Sequence, residues 1–229
     1  MRRYRSFLSM FLILAVILVW ERGVSPKERF HQFTMENGLK VILEESYNVP
    51  VVALQIWVKM GSGDERDEEA GICHFIEHML FKGTEKRKVR QMAREMESLG
   101  GTIDAYTSYD QTVYHVILAS RYDHIGLDIL SDAIQHSIFD PLQVERERAV
   151  ILEEIRRETD DPSRRLFNQT MATLFQRHPY RRPVIGEEKT VQSITRDQIV
   201  SFFKRWYTPN HMVFVAVGDF DLYEMEIDD

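Results

Sequence analysis

The chain has 229 residues, 44% of them hydrophobic, enough to bury one large core or two small ones; the composition excludes a low-complexity polypeptide. Its formal net charge is -7, with Lys and Arg interspersed among Asp and Glu, so no basic face stands ready for a phosphate backbone and nucleic acid is not an expected partner. Cys73 is the single cysteine, which rules out an intrachain disulfide and leaves packing or a metal to supply stability.

Residues 1–22 stand apart. Three arginines in "MRRYR" precede an apolar run from Phe7 to Trp20 that only Ser9 interrupts. At about 1.5 Å per residue this run falls short of a hydrocarbon core about 30 Å thick, and its length suits the apolar region of a signal peptide. No A-x-A-like cleavage site follows. An uncleaved signal anchor, attached to the membrane through residues 7–20, therefore stays open beside a cleaved signal peptide. In both cases the arginines keep the N-terminus in the cytoplasm and the remainder is expected outside it. Residues 23–29 read as a polar linker, and the folded domain is expected over 30–229.

Within that domain, "FHQFTME", Asn37-Gly38 and "LKVILEE" form a hairpin signal in which Asn-Gly suits a type I′ turn. The nearly continuous apolar run "VPVVALQIWVKMG" reads as a buried strand ending in Gly61-Ser62-Gly63. A helix follows over about 70–81, then a second with Val89, Met92, Ala93, Met96 and Leu99 at helical spacing and Gly100 as its C-cap. "GTIDAYTS" and "QTVYHVILAS" read as strands. Residues 122–137 carry a helical stripe of Ile125, Ile129, Ala133 and Ile134, and Asp140-Pro141 opens a long charged helix that runs to about Thr159 before "DDP" stops it. A helix over 163–175, the turn "RHPYRRP" and a helix after Thr195, with Gln198 as capping-box partner, lead to a last strand, "HMVFVAVG". No internal repeat is visible. The pattern predicts an α+β fold, with a mainly antiparallel sheet and helices packed on one face. Trp57 and Trp206 lie on apolar stripes and are expected in the core.

The stretch "GICHFIEHMLFKGT" reads either as half of a metal site or as the solvated face of an amphipathic helix. On a helix His74 and His78 lie 40° apart on one face, one turn from each other, a spacing that lets two imidazoles meet one ion. Glu77 stays on that face, where its carboxylate can reach a water at the ion. The arrangement is an H-E-x-x-H zinc helix read in the opposite chain direction. A hydrolytic zinc site needs a third protein ligand from another element. Candidates lie on "VERERAVILEEIRRE", where Glu147 and Glu154 are two turns apart and share a face within about 20°, whereas Glu153 points 100° from Glu154. Periodicity leaves Glu147, Glu154 and Glu158 unresolved. Cys73, 100° from His74, reads as a small buried residue, and the remaining histidines read as packing or solvated groups.

Taken together, "GICHFIEHMLFKGT", "GGTIDAYTSYDQTVYH", "ERAVILEE", "HPYRRPVIG" and "YTPNHMVFVAVGDF" resemble the pitrilysin-type, or inverzincin, metallopeptidases in order, spacing and type. The nearest likeness is to bacterial members similar to the β subunit of the mitochondrial processing peptidase. The resemblance implies one Zn2+ per chain held by His74, His78 and Glu154, with Glu77 as general base and Glu147 supporting the site from behind. It implies further that the strand bearing Asp104, Ala105, Tyr106 and Thr107 is an edge on which a peptide or unfolded-protein substrate lies as an added strand. Asp104 stands where many members have Asn. The implied activity is zinc-dependent endopeptidase cleavage, and the implied location is the bacterial periplasm or the outer face of the cytoplasmic membrane. Family members of this kind have two homologous halves closing on the peptide, and 30–229 resembles the first alone. A complementary half or a dimer mate is the expected partner, and a zinc-loaded peptide-binding module or a non-catalytic subunit remains an alternative.

Overall fold

The computed structural model describes residues 30–221; the expected signal or anchor segment, the linker and residues 222–229 lie outside the described residues. Six strands form one sheet: β1 (Phe30–Thr34), β2 (Lys40–Glu45), β3 (Val51–Val58), β4 (Thr102–Thr107), β5 (Thr112–Ala119) and β6 (Met212–Gly218). Seven α-helices accompany them among the described residues: α1 (Ile72–Leu80), α2 (Gln91–Ser98), α3 (Asp123–His136), α4 (Pro141–Asp160), α5 (Pro162–Leu174), α6 (Glu188–Ser193) and α7 (Arg196–Trp206). The strand order is β1-β2-β6-β3-β5-β4. All pairings are antiparallel except β2 with β6, so the sheet is mainly antiparallel, as the pattern predicted. No helix of the described residues is long and apolar enough to cross a membrane.

The period of two along β3 decides where the core lies. Val52, Leu54, Ile56 and Val58 are buried, whereas Ala53, Gln55 and Trp57 on the other face are only partly covered. Ile56 pairs with Tyr114 on one side and Phe214 on the other, and Leu54 pairs with Val116 and Ala216, so the buried side chains of three strands form one continuous floor. Helices α1, α3 and α7 cover that floor, and Phe75, Ile76, Met79, Ile129, Ala133, Ile199 and Phe202 fill the space between. At its centre the Tyr114 and Tyr207 hydroxyls share a buried hydrogen bond of 2.7 Å.

Three expectations are corrected here. The β1–β2 connection is not a type I′ turn: Gly38 has φ 92, while Asn37 is not among the residues with positive φ. The Gly38 N–H bonds to the Met35 carbonyl, and the Asn37 side chain accepts from the Leu39 N–H, giving a three-residue loop with glycine in the left-handed position. Next, β3 is covered on one face rather than two, its apolar run being partly matched by the open outer face of the sheet. Trp57 consequently sits on that outer face, edge-on to Tyr106 at 6.4 Å, and is not a core residue. The α7 capping box forms as expected, with the Thr195 N–H bonded to Gln198 Oε1 at 2.8 Å.

The one-sided core sets a clear expectation for stability. Phe214→Ala, at a position 2% exposed on the covered face, should cost about 3–5 kcal/mol in urea unfolding. Val217→Ala, 37% exposed on the other face, should cost no more than about 0.5 kcal/mol. Equal losses would mean that both faces are packed.

Candidate metal centre

Helix α1 divides its residues between two jobs. Ile72, Phe75, Ile76 and Met79, at i, i+3, i+4 and i+7, are buried in the core. His74, Glu77 and His78 therefore face the other way, toward α4 and the end of β4. Helix α4 starts where Asp140 accepts hydrogen bonds from the Leu142 and Gln143 N–H groups, with Pro141 at the first helical position. Its buried stripe is Val144, Glu147 and Ile151, and Glu154 continues that stripe one turn further. The long charged helix is thus not solvated all round; it turns two carboxylates toward α1.

The geometry at the crossing is specific. Glu154 Oε2 lies 3.4 Å from His78 Nε2 and 3.9 Å from His74 Nε2, and ligand atoms of the three residues lie within 4.8 Å of one another. Glu147 takes the other nitrogen: its Oε2 is 3.2 Å from His78 Nδ1, and its Oε1 is 2.8 Å from Lys82 Nζ. With Nδ1 donating to Glu147, His78 presents an Nε2 lone pair toward Glu154. Burial alone would lift the Glu147 carboxyl, yet hydrogen bonds from His78 and Lys82 outweigh it and hold the group below its ordinary range. Burial, reinforced by the neighbouring His78, pushes His74 down to about 3, so its imidazole is neutral. The Nδ1 of His74 is buried with no hydrogen-bond partner.

Glu77 is held from a second element. Burial raises its carboxyl, and the Thr107 hydroxyl donates to Oε2 at 2.5 Å. Thr107 ends β4, the outermost strand on that side of the sheet. Along this edge Asp104 and Tyr106 are exposed while Ala105 and Thr107 are half-buried, and the Asp104 carboxylate accepts from the Ala105 N–H at 2.9 Å.

The structure brings together His74, His78 and Glu154, with Glu147 and Glu77 beside them, and separates the other candidates. Glu153 points outward to Arg156, Glu158 is not part of the cluster, and Cys73 is buried in the core. Two contacts escaped the sequence reading. Thr107 was assigned to the substrate edge, but its hydroxyl holds Glu77, a contact between a helix and a distant strand that no local pattern encodes. Lys82 was overlooked, although its position four residues after His78 could have suggested a shared face.

Comparison with known proteins identifies the family. Residues 40–188 match the family profile described as Insulinase (Peptidase family M16), and residues 193–226 match that of the Peptidase M16 inactive domain. The chain belongs to the M16 peptidase family. The second match begins inside the same fold, because β6 runs between β2 and β3. An Arabidopsis thaliana protein described as a probable mitochondrial-processing peptidase subunit beta is 37% identical over 185 residues, 81% of this chain and 35% of that protein. An uncharacterised zinc protease of Bacillus subtilis is 32% identical over 188 residues, 82% and 46% of the two chains. Among solved structures, the periplasmic protease PqqL of Escherichia coli aligns with a TM-score of 0.78 and 33% identity, over 86% of this chain and 23% of that one. A protease from Helicobacter pylori aligns at 0.81 with 27% identity, covering 85% and 47%. The chain thus spans about half the length of the curated relatives, or less.

The buried neutral imidazole makes the metal-free fold sensitive to acid. His74 has a folded value of about 3, against about 6.5 in an unfolded chain, so between these values the unfolded state binds a proton that the folded state excludes. Stability is therefore full above about pH 6.5 and falls as pH drops toward 3. Urea midpoints of metal-free protein at pH 7.5 and pH 5 should show this loss, and His74→Gln should flatten it. A wild-type profile no steeper than that of the variant would contradict a buried neutral His74.

Proposed function

We propose that this chain is the zinc-bearing half of an endopeptidase that hydrolyses peptides or unfolded polypeptides. The observation that carries the proposal is the convergence of the His74 and His78 Nε2 atoms on Glu154 Oε2, with Glu77 on the same helix face. The residues fit the metal. Ligand bonds of about 2.0–2.2 Å in a tetrahedral site put donor atoms about 3.3–3.5 Å apart, close to the 3.4 and 3.9 Å present. His74 is already neutral, and a set of two histidines and one carboxylate leaves a position open for water or substrate. One Zn2+ held by His74, His78 and Glu154 would supply Lewis acidity toward the scissile carbonyl and lower the pKa of a bound water to about 7.

The remaining work falls to the chain itself. Glu77, its carboxyl raised by burial, takes the proton of the attacking water and delivers it to the leaving amine. Thr107 fixes which Glu77 oxygen is free for that transfer. Glu147, braced by Lys82, keeps the His78 ring turned toward the metal position. The open edge of β4 offers its backbone N–H and C=O groups to an extended substrate, which would lie along Asp104, Ala105, Tyr106 and Thr107. A complementary half would close the other side, a reading that the likeness to longer proteases supports. Export to the periplasm or to the outer face of the cytoplasmic membrane belongs to the same proposal; the N-terminal pattern and the likeness to a periplasmic protease support it. The open edge of β4 supports a second reading, a zinc-loaded module that holds extended chains without cutting them.

A quenched-fluorescence peptide separates these readings. The 229-residue chain with zinc should cleave it, a chelator should abolish cleavage, and Glu77→Gln should keep the metal while losing at least about 100-fold in rate. Peptide binding without cleavage in both proteins would favour the binding module. Equal cleavage by wild type and Glu77→Gln would remove Glu77 from the mechanism.

A further inference from the structure

The start of helix α1 is held in an unusual way. A helix leaves its first N–H groups without partners, and the N-cap of α1 is Gly71, which has no side chain to offer. The partner comes from six residues upstream. Glu65 accepts from the Gly71 N–H through Oε2 at 2.8 Å and from the Cys73 N–H through Oε1 at 2.9 Å, and it is only 4% exposed. Arg182 grips Glu65 in turn, donating Nη2 to the Glu65 carbonyl at 2.6 Å and to the Ser62 carbonyl at 3.3 Å, while Nη1 pairs with Asp67. On the opposite side the helix start is wedged against the turn before α6. A Cβ on Gly71 would lie 2.8 Å from the Ile185 carbonyl oxygen, and Gly71 has φ 94, so glycine is required there.

We propose that Glu65 is a positioning residue for the metal centre, setting the axial seat of α1 and thereby where His74, Glu77 and His78 stand relative to Glu154 and Thr107. The inference rests on the zinc reading above. Its force comes from tolerance: metal–ligand distances must hold within about 0.2 Å, whereas His74 follows directly on the Cys73 N–H that Glu65 holds. A small slide of the helix would carry both imidazoles off Glu154. Burial lifts the Glu65 carboxyl to about 7 against the pull of its two N–H donors, which marks a site that water does not reach to replace a lost acceptor.

Cobalt(II), read by its visible absorption in the 229-residue chain, tests this without relying on peptide cleavage. Glu65→Gln keeps one acceptor oxygen and turns an amide NH2 toward the other donor. It should weaken Co2+ binding about tenfold or more and shift the absorption band, and Glu65→Ala should weaken binding further. Arg182→Lys, which loosens the same clamp from behind, should act in the same direction and serves if Glu65→Gln does not fold. Val41→Ala, in the core on β2, should lower the melting temperature with no change in affinity or spectrum. Folded Glu65→Gln and Arg182→Lys with wild-type affinity and spectrum would overturn the positioning role alone. A wild-type chain that takes up no cobalt, or takes it up equally after His74→Ala, would overturn the metal reading and this inference with it.

Discussion

The seat of helix α1 is the constraint on which the rest of the molecule depends. Nine residues have to fill the core with Ile72, Phe75, Ile76 and Met79 and, from the opposite side, carry His74, Glu77 and His78 to within reach of α4 and β4. Because protein cores are close-packed, the apolar face cannot shift without opening a void, and this rigidity is passed to the polar face. The floor beneath it, formed by β3, β5 and β6, thus does more than stabilise the fold: it fixes the height at which the imidazoles meet Glu154.

The charges around the centre follow from the same burial. Burial, with a smaller contribution from the neighbouring His78, keeps His74 neutral. Glu147 stays ionised because His78 and Lys82 both bond to it, so it can orient one ring without competing for the position in front of it. Glu77 experiences the opposite balance, with burial raising its carboxyl above its ordinary value. Glu147 and Glu77, close together in one small region, thus have distinct environments, each determined by its neighbours.

Much of this was legible in the sequence, and the part that was not has a common cause. The i, i+4 histidines, the Asp140-Pro141 helix start and the Thr195–Gln198 capping box are encoded within one or two turns, and each formed as read. Periodicity along α4 could place Glu147 and Glu154 on one face but could not choose a ligand, because that choice depends on where α1 crosses. Resemblance to a known family implied Glu154, whose carboxylate lies within 4.8 Å of a ligand atom of each histidine in the fold. The insertion of β6 beside β2, the Thr107 bond to Glu77 and the Glu65 clamp all join segments distant in the chain, so no local pattern announces them. Trp57 was misread for a related reason: an apolar run shows that a strand is hydrophobic but not how many of its faces are covered.

The central claim is that His74, His78 and Glu154 bind zinc, and X-ray absorption of the zinc-loaded chain tests it most directly. Coordination by these residues predicts one tightly held zinc with nitrogen and oxygen neighbours at about 2.0–2.2 Å and outer scattering from two imidazole rings. The signal of those rings should fall in His74→Ala. A sulfur neighbour at about 2.3 Å, a spectrum indifferent to His74→Ala, or a chain that retains no zinc would contradict the assignment.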